Sequence, residues 1–287
     1  MTALQYEVFV TPAIAPSPGT TPNLPNGDPI VWSPIATTLI YGERDAVLVD
    51  PPFTAETTRE VLAWVEHIGR DITEIYITHG HGDHWFGVPV LLERFPHAVV
   101  RATAGTKAHM AGQAEAEYRA AFWDALFPGQ IPTASVDVQV VGEEGLNLEG
   151  HALLPIEVGH SDTDDTTVLW VPSLKLAVAG DVVYNGVHLS LGESDGGGRD
   201  AWRRALDRVE ALGARFVVAG HKDPSRADDA ADIDRTRRYL DDADRLLKDS
   251  PTPLQYFEGM TSLHPERVNP GVLWFGALAL LAGNASE

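Results

Sequence analysis

The sequence predicts a mixed α/β domain. Three observations carry that expectation. Two short β-branched runs pair as a hairpin near residues 37–49, later strand-like runs alternate with stretches of helical periodicity, and 44% of the 287 residues are hydrophobic, enough for one large core. A chain of this length with 22% charged residues reads as globular, and the expectation is one domain over residues 1–287.

Residues 11–36 are rich in Pro, Gly and Asn and read as an irregular segment. Thr37 to Ile40 and Ala46 to Val49 then flank Tyr41-Gly42-Glu43-Arg44-Asp45, a hairpin pattern that Asp50-Pro51-Pro52 ends. Thr57 to Ile68 places Val61, Leu62, Val65 and Ile68 at helical spacing, with Gly69 suited to the C-terminal cap. Ile72 to Thr78 is the next strand, Val88 to Phe95 a helix and Ala98 to Ala102 a strand. A helical insertion near 104–130, centred on Thr106 to Phe127, carries Trp123 and Phe127. Val136 to Val141, His151 to Val158, Thr166 to Val171 and Leu176 to Ala179 read as successive strands. Asp200 to Leu212 is an amphipathic helix and Phe216 to Ala219 a strand. A helical C-terminal segment, 227–287, begins with the acidic helix Ala227 to Lys248, whose charge run reads as a solvated face. Pro270 to Ala282 is apolar on nearly all sides, so it is either buried in its own core or a homodimer contact.

The net charge of -20, from 41 acidic against 21 basic side chains, disfavours nucleic acid and anionic membrane surfaces as partners and leaves a small-molecule substrate. There are no cysteines, which excludes disulfides, thiolate metal sites and a cysteine nucleophile. Met1 to Glu7 lacks the basic and apolar regions of a secretory leader, and the longest apolar stretch, Val272 to Ala282, falls short of the roughly 20 residues that cross a bilayer. A soluble, cytoplasmic protein is expected.

Thr78-His79-Gly80-His81-Gly82-Asp83-His84 follows an apolar strand and sets three histidines and an aspartate within six residues. Neutral imidazole and carboxylate oxygen both bind a cation such as Zn²⁺ at about 2.0–2.2 Å. Glycines between them let the backbone turn tightly, so alternate side chains can face one ion and their neighbours a second. Further ligands belong at other strand ends, where three positions qualify. His160, Asp181 and His221 each follow an apolar run and a glycine. One such position is a weak signal; three after the first cluster are not.

These residues resemble the metallo-β-lactamase superfamily. Its motifs are matched in order by Asp50, His79 to His84, His160, Asp181 and His221, over roughly Ile35 to Asp223. The resemblance implies an αββα sandwich of two mixed β-sheets flanked by helices, with two divalent metal ions at one edge. His79, His81 and His160 would bind the first, Asp83, His84 and His221 the second, and Asp181 would bridge them. Asp50 would support the histidine loop. The cofactor is expected to be zinc, although the same nitrogen and oxygen donors accept Fe, Mn or Co. Asp181 stands where one lactamase branch has a cysteine ligand, and His81 where flavodiiron proteins have a carboxylate. Hydrolases resembling glyoxalase II, acyl-homoserine lactonases and ribonuclease Z remain, of which ribonuclease Z fits the acidic surface poorly.

The implied reaction is hydrolysis of an ester, lactone or amide by a metal-bridging hydroxide, with a lactone or small ester first and a β-lactam second. Asp83 or a metal-bound water is the candidate proton donor to the leaving group. Tyr184 matches a tyrosine that, in acyl-homoserine lactonases, donates to the substrate oxyanion, and His188 is a weaker candidate contact. Trp85, Phe86, Trp123 and Phe127 suggest an aromatic substrate wall. No basic cluster suits glutathione. The rivals are an iron-dependent dioxygenase of the persulfide dioxygenase type, using His79, His81 or His160 and Asp181, and a catalytically silent binding module.

Overall fold

The computed structural model describes residues 3–142 and 144–281; Ala282, the end of the apolar C-terminal run, and the residues after it lie outside the described residues. The chain opens with β1 (Gln5–Val10), antiparallel to β2 (Ala36–Tyr41), against which β3 (Asp45–Val49) returns. Helix α1 (Ala55–Ile68) starts at Thr54, whose hydroxyl accepts the Thr57 N–H, and ends at Gly69 in the left-handed region (φ 74°). It leads to β4 (Asp71–Tyr76), and α2 (Val88–Arg94) leads on to β5 (Val99–Ala102). Three short helices, α3 (Ala104–Gln113), α4 (Ala116–Ala121) and α5 (Trp123–Leu126), precede β6 (Val138–Val140). Strands β3 to β6 are mutually parallel, so the first sheet runs β1-β2-β3-β4-β5-β6 and is mixed.

The second sheet, in the order β11-β10-β9-β8-β7, is also mixed. β7 (Leu146–Leu148), β8 (His151–Gly159), β9 (Thr166–Val171) and β10 (Leu176–Asn185) form an antiparallel meander. A crossover through α6 (Gly198–Ala211) brings β11 (Phe216–Lys222) parallel to β10. α7 (Ala231–Leu247), α8 (Pro253–Leu263) and α9 (Pro270–Leu280) follow.

Side-chain alternation stacks these sheets into four layers. On β3, Ala46 and Leu48 face a core shared with Val61 and Val65 of α1 and Leu91 of α2. Val47 and Val49 face the opposite way, onto Leu169, Leu176 and Val178 of the second sheet. On β10, Leu176 and Val178 meet the first sheet, whereas Ala177 and Ala179 pack under Trp202 and Leu206 of α6 and Tyr239 and Leu240 of α7. Period-2 strands buried on both sides thus give the αββα sandwich that the sequence predicted.

Several elements depart from the sequence reading. β1 and β7 were not expected; β1 is a half-buried edge strand and β7 has three residues, too short to show a period. β10 and β11 run past Asp181 and His221, so these two residues lie within strands, and β10 shifts register against β11 on either side of Gly180. The helical insertion is broken in three, not continuous. The charge run of α7 is also more than a solvated face. Arg203 of α6 pairs with Asp241 and Asp244, and Arg237 of α7 pairs back to Asp207 and Glu210.

Candidate metal centre

The histidine loop leaves β4 at the edge where both sheets end. Asp50, directly after β3, takes a positive φ of 51° and turns its carboxylate under the loop. It accepts the Thr78 N–H at 2.9 Å and the Thr78 hydroxyl at 2.6 Å. That hydroxyl lies 3.0 Å from His79 Nδ1. With the hydroxyl proton committed to Asp50, His79 donates from Nδ1 and presents Nε2 to the centre. Burial raises the Asp50 carboxyl to about 6, against the pull of His84 and the two Thr78 bonds. The supporting role implied for Asp50 is what this geometry provides. Trp85 reinforces the loop from behind, its indole N–H donating to the Gly80 carbonyl at 2.9 Å.

Two glycines let the second sheet close on this loop. A Cβ on Gly180 would lie 2.3 Å from the Thr78 hydroxyl oxygen, and one on Gly220 would lie 2.1 Å from Asp181 Oδ1. His221 is fixed from its far side, where Nδ1 lies 2.9 Å from the Pro34 carbonyl. A carbonyl only accepts, so Nδ1 carries the proton and Nε2 points inward. An isolated bridge from Ile35 to His221 secures the same junction.

Three groups of donor atoms converge, each within 4.8 Å: Asp50, His79 and His84; His79, His81 and Asp162; and Asp83, His84 and His221. Asp181 stands between the histidines, with Oδ1 3.4 Å from His84 Nε2 and Oδ2 3.3 Å from His221 Nε2. Asp83 Oδ2 lies 3.4 Å from His221 Nε2. Six of the seven sequence-predicted ligands therefore meet at one place: His79, His81, Asp83, His84, Asp181 and His221.

His160 is the exception and does not join these groups. Its Nδ1 is held by Asp164 at 2.7 Å, and its Nε2, buried without a hydrogen-bond partner, lies beside Gly198, where an added Cβ would come within 2.7 Å. Asp162, two residues on, takes the expected position, with Oδ2 2.8 Å from His81 Nδ1. Tyr184 is also corrected as a direct substrate contact. It is fully buried, and its hydroxyl donates to Asp181 Oδ2 at 2.7 Å instead of lining the cavity. His188 is buried beside Tyr239, Nδ1 to hydroxyl oxygen 3.0 Å, far into the α7 packing and not toward substrate.

The electrostatics suit a cation. Burial alone would depress His221 and His81, but Asp181 and Asp83 hold the first well above the usual imidazole range, and Asp162 and Glu193 do the same for the second. Burial and the neighbouring His84 hold His79 well below that range. Burial would raise Asp181, yet His221 and His84 draw it well below the carboxylate range. His79 Nε2 and Asp181 Oδ1 are buried with no hydrogen-bond partner, and His84 Nε2 faces His221 Nε2 at 3.4 Å. Unpaired buried donors and acceptors of this kind are costly unless a further ligand satisfies them. Borderline imidazole nitrogens mixed with carboxylate oxygens fit a divalent cation such as zinc.

A cavity of about 380 Å³ opens above these residues. Of the four aromatics expected as a wall, Trp123 lines it, whereas Trp85, Phe86 and Phe127 are packed behind. Trp32, Tyr118, Phe122 and Phe275 supply the rest of the aromatic surface. Sequence reasoning missed Asp162, Glu193 and Trp32. Glu193 Oε1 reaches His81 Nε2 at 3.2 Å, and Trp32 donates its indole N–H to Asp83 Oδ2 at 2.9 Å. The acidic run after His160 was a signal for Asp162; nothing local marked the other two.

Comparison with known proteins agrees with this architecture. The family described as the metallo-beta-lactamase superfamily matches residues 30–221. A "Metallo-beta-lactamase type 2" of Bacteroides fragilis is 25% identical over 188 residues, 64% of this chain and 68% of that protein. One from Bacillus sp. (strain 170) is also 25% identical, over 62% of this chain and 63% of its own length, so the chain spans about two thirds of these relatives. Among solved structures, a metallo-beta-lactamase family protein from Thermus thermophilus superposes with a TM-score of 0.64 at 19% identity, covering 97% of this chain and 94% of that one.

Proposed function

The chain belongs to the metallo-beta-lactamase superfamily, and from that premise we propose that it is a metal-dependent hydrolase cleaving an ester, lactone or amide bond of a small molecule. The observation that carries this reading is the convergence of buried imidazole and carboxylate donors, His79 Nε2 and Asp181 Oδ1 among them without partners, beneath an open cavity. His79, His81 and Asp162 would hold one cation, Asp83, His84 and His221 a second, with Asp181 between them. Such ions, when bound, supply a water ionised near neutral pH and an electrophilic contact for a carbonyl oxygen.

The protein's own groups prepare that chemistry. Asp50 and Thr78 fix His79, Pro34 fixes His221, and Tyr184 fixes Asp181, so the donors are ordered before substrate arrives. Asp83 lines the cavity, held by Trp32, and is the carboxylate placed to pass a proton to the leaving atom. The aromatic wall would limit water around a bound carbonyl. Elemental analysis followed by an ester, lactone and β-lactam panel tests the proposal. The expected result is two divalent ions per chain and hydrolysis that a chelator abolishes and added metal restores. One iron per chain with oxygen consumption, or full metal loading without any hydrolysis, would overturn it.

A further inference from the structure

Four carboxylates face the cavity, from Asp83, Asp162, Asp181 and Glu193, and among the described residues no lysine or arginine lines it. Four negative charges balance two divalent cations and outnumber one. In either case no surplus positive charge remains for a carboxylate or phosphate on the substrate. An anion brought into a partly enclosed, largely apolar space without a counter-charge loses hydration that no cationic side chain replaces. The net charge of -20 opposes its approach from a distance as well.

Apart from His81, His221 and the neutral polar residues Ser33, Gln113, Ser190 and Asn269, the remaining lining is mainly aromatic and aliphatic. Trp32 and Phe122 stand on one side, their rings 6.2 Å apart edge to face, and Val272, Phe275 and Ala279 of α9 stand on the other. The indole N–H groups of Trp32 and Trp123 are engaged by Asp83 and Gln113, so these rings offer apolar surface to a ligand and no donor. The volume, about 380 Å³, is in the range of small-ligand pockets.

We propose that the substrate is an uncharged ester or lactone carrying a bulky apolar or aromatic group, which packs between Trp32–Phe122 and α9. Carbonyl compounds that carry an anion, such as β-lactams and glutathione thioesters, are rejected by the charge balance of the cavity. This rests on the hydrolase reading above, whose failure the test separates from its own.

The zinc-loaded protein is assayed with phenyl butyrate and with monophenyl succinate, the same aryl ester ending in a carboxylate. The neutral ester should have the higher kcat/KM by about 30-fold or more, the scale of one uncompensated like charge about 8 Å away at an effective dielectric near 20. Glu193→Gln should narrow that gap, and Ala279→Trp should depress the aryl ester far more than methyl acetate. Binding of the matching unreactive ketones, read by quenching of tryptophan fluorescence, gives an account independent of turnover. Equal turnover or equal binding of the neutral and anionic members overturns the charge selection and leaves the hydrolase reading standing. Selective binding of the neutral ketone, with no ester hydrolysed, overturns the hydrolase reading instead.

Discussion

Tyr184→Phe removes one oxygen atom from the interior and leaves the ring where it is, 5.9 Å from Trp202 and 5.8 Å from His221. The hydroxyl it removes donates to Asp181 Oδ2 at 2.7 Å. Burial and the Asp181 carboxylate hold the phenol well above its usual range, so it is a donor at every working pH. A hydrogen bond to a charged group contributes about 1.5–3 kcal/mol net. Its loss should lower the thermal midpoint by about 3–10 °C in a protein of this size. It should also free Asp181 to rotate toward His221. Deleting a group that orients a metal ligand weakens the metal by about 10–100-fold. Calorimetry reads the first effect, and zinc competition against a chromophoric chelator reads the second. Unchanged zinc affinity and midpoint, with a tenfold fall in kcat, would refute this reasoning and return the hydroxyl to direct contact with substrate.

Three further outcomes are expected. Asp162→Asn should lower zinc affinity at one site while His160→Asn leaves the stoichiometry intact; loss of zinc from the His160 variant alone would show that His160, not Asp162, completes the His79–His81 group. Added zinc should raise the unfolding midpoint of chelator-treated protein, by about 4 kcal/mol of stability at a thousandfold excess over Kd, and an unmoved midpoint would mean that the unpartnered donors bind nothing. Glu149→Gln should destabilise only in part of the pH range. The carboxylate accepts the N–H groups of Glu43, Arg44 and Asp45 at 2.9, 2.8 and 3.0 Å, and these bonds depress it to about 2. A depressed folded-state value stabilises above the unfolded one, near 4.5, and that contribution disappears as pH falls toward 2. The urea midpoints of variant and parent should therefore differ by a constant amount above pH 5 and merge near pH 2; a gap that persists at pH 2 counts against the assignment.

The fold was legible where one element's own periodicity decides its partner. Val61 and Val65 gave α1 its buried stripe, and Gly69 its end, without reference to the rest of the chain. The β2–β3 hairpin was read from its two runs and the turn between them. Lengths were less legible, because they depend on neighbours. β10 continues through Asp181 to Asn185 because β11 runs alongside to Lys222 and supplies hydrogen bonds across a shifted register. β1 exists because β2 offers an edge. The all-round apolar α9 divides in a way that also depends on its neighbours. Leu273 and Ala277 pack into the core beneath the second sheet, while Val272, Phe275 and Ala279 face the cavity. Apolar composition alone cannot tell a core-facing side from a cavity-facing one.

The site divides along the same line. Histidine and aspartate advertise metal chemistry by type and spacing, so six of the residues that converge at the candidate centre could be named from the chain alone. What tunes them comes from residues remote in sequence. Trp32 holds Asp83 from 51 residues away, and Pro34 orients His221 across 187. Neither has a chemical signature, since an indole N–H and a backbone carbonyl are found everywhere. His160 shows the limit from the other side. The apolar run and glycine before His160 pointed to a ligand at this strand end, but which side chain turns inward depends on local hydrogen bonds. Asp164 draws the imidazole one way, while Ser161, bonded to Asp162 Oδ1 and to Thr166, leaves the Asp162 carboxylate facing His81. Bonds of ordinary strength, each about 1 kcal/mol net, are enough to decide which of two side chains, two residues apart, faces His81.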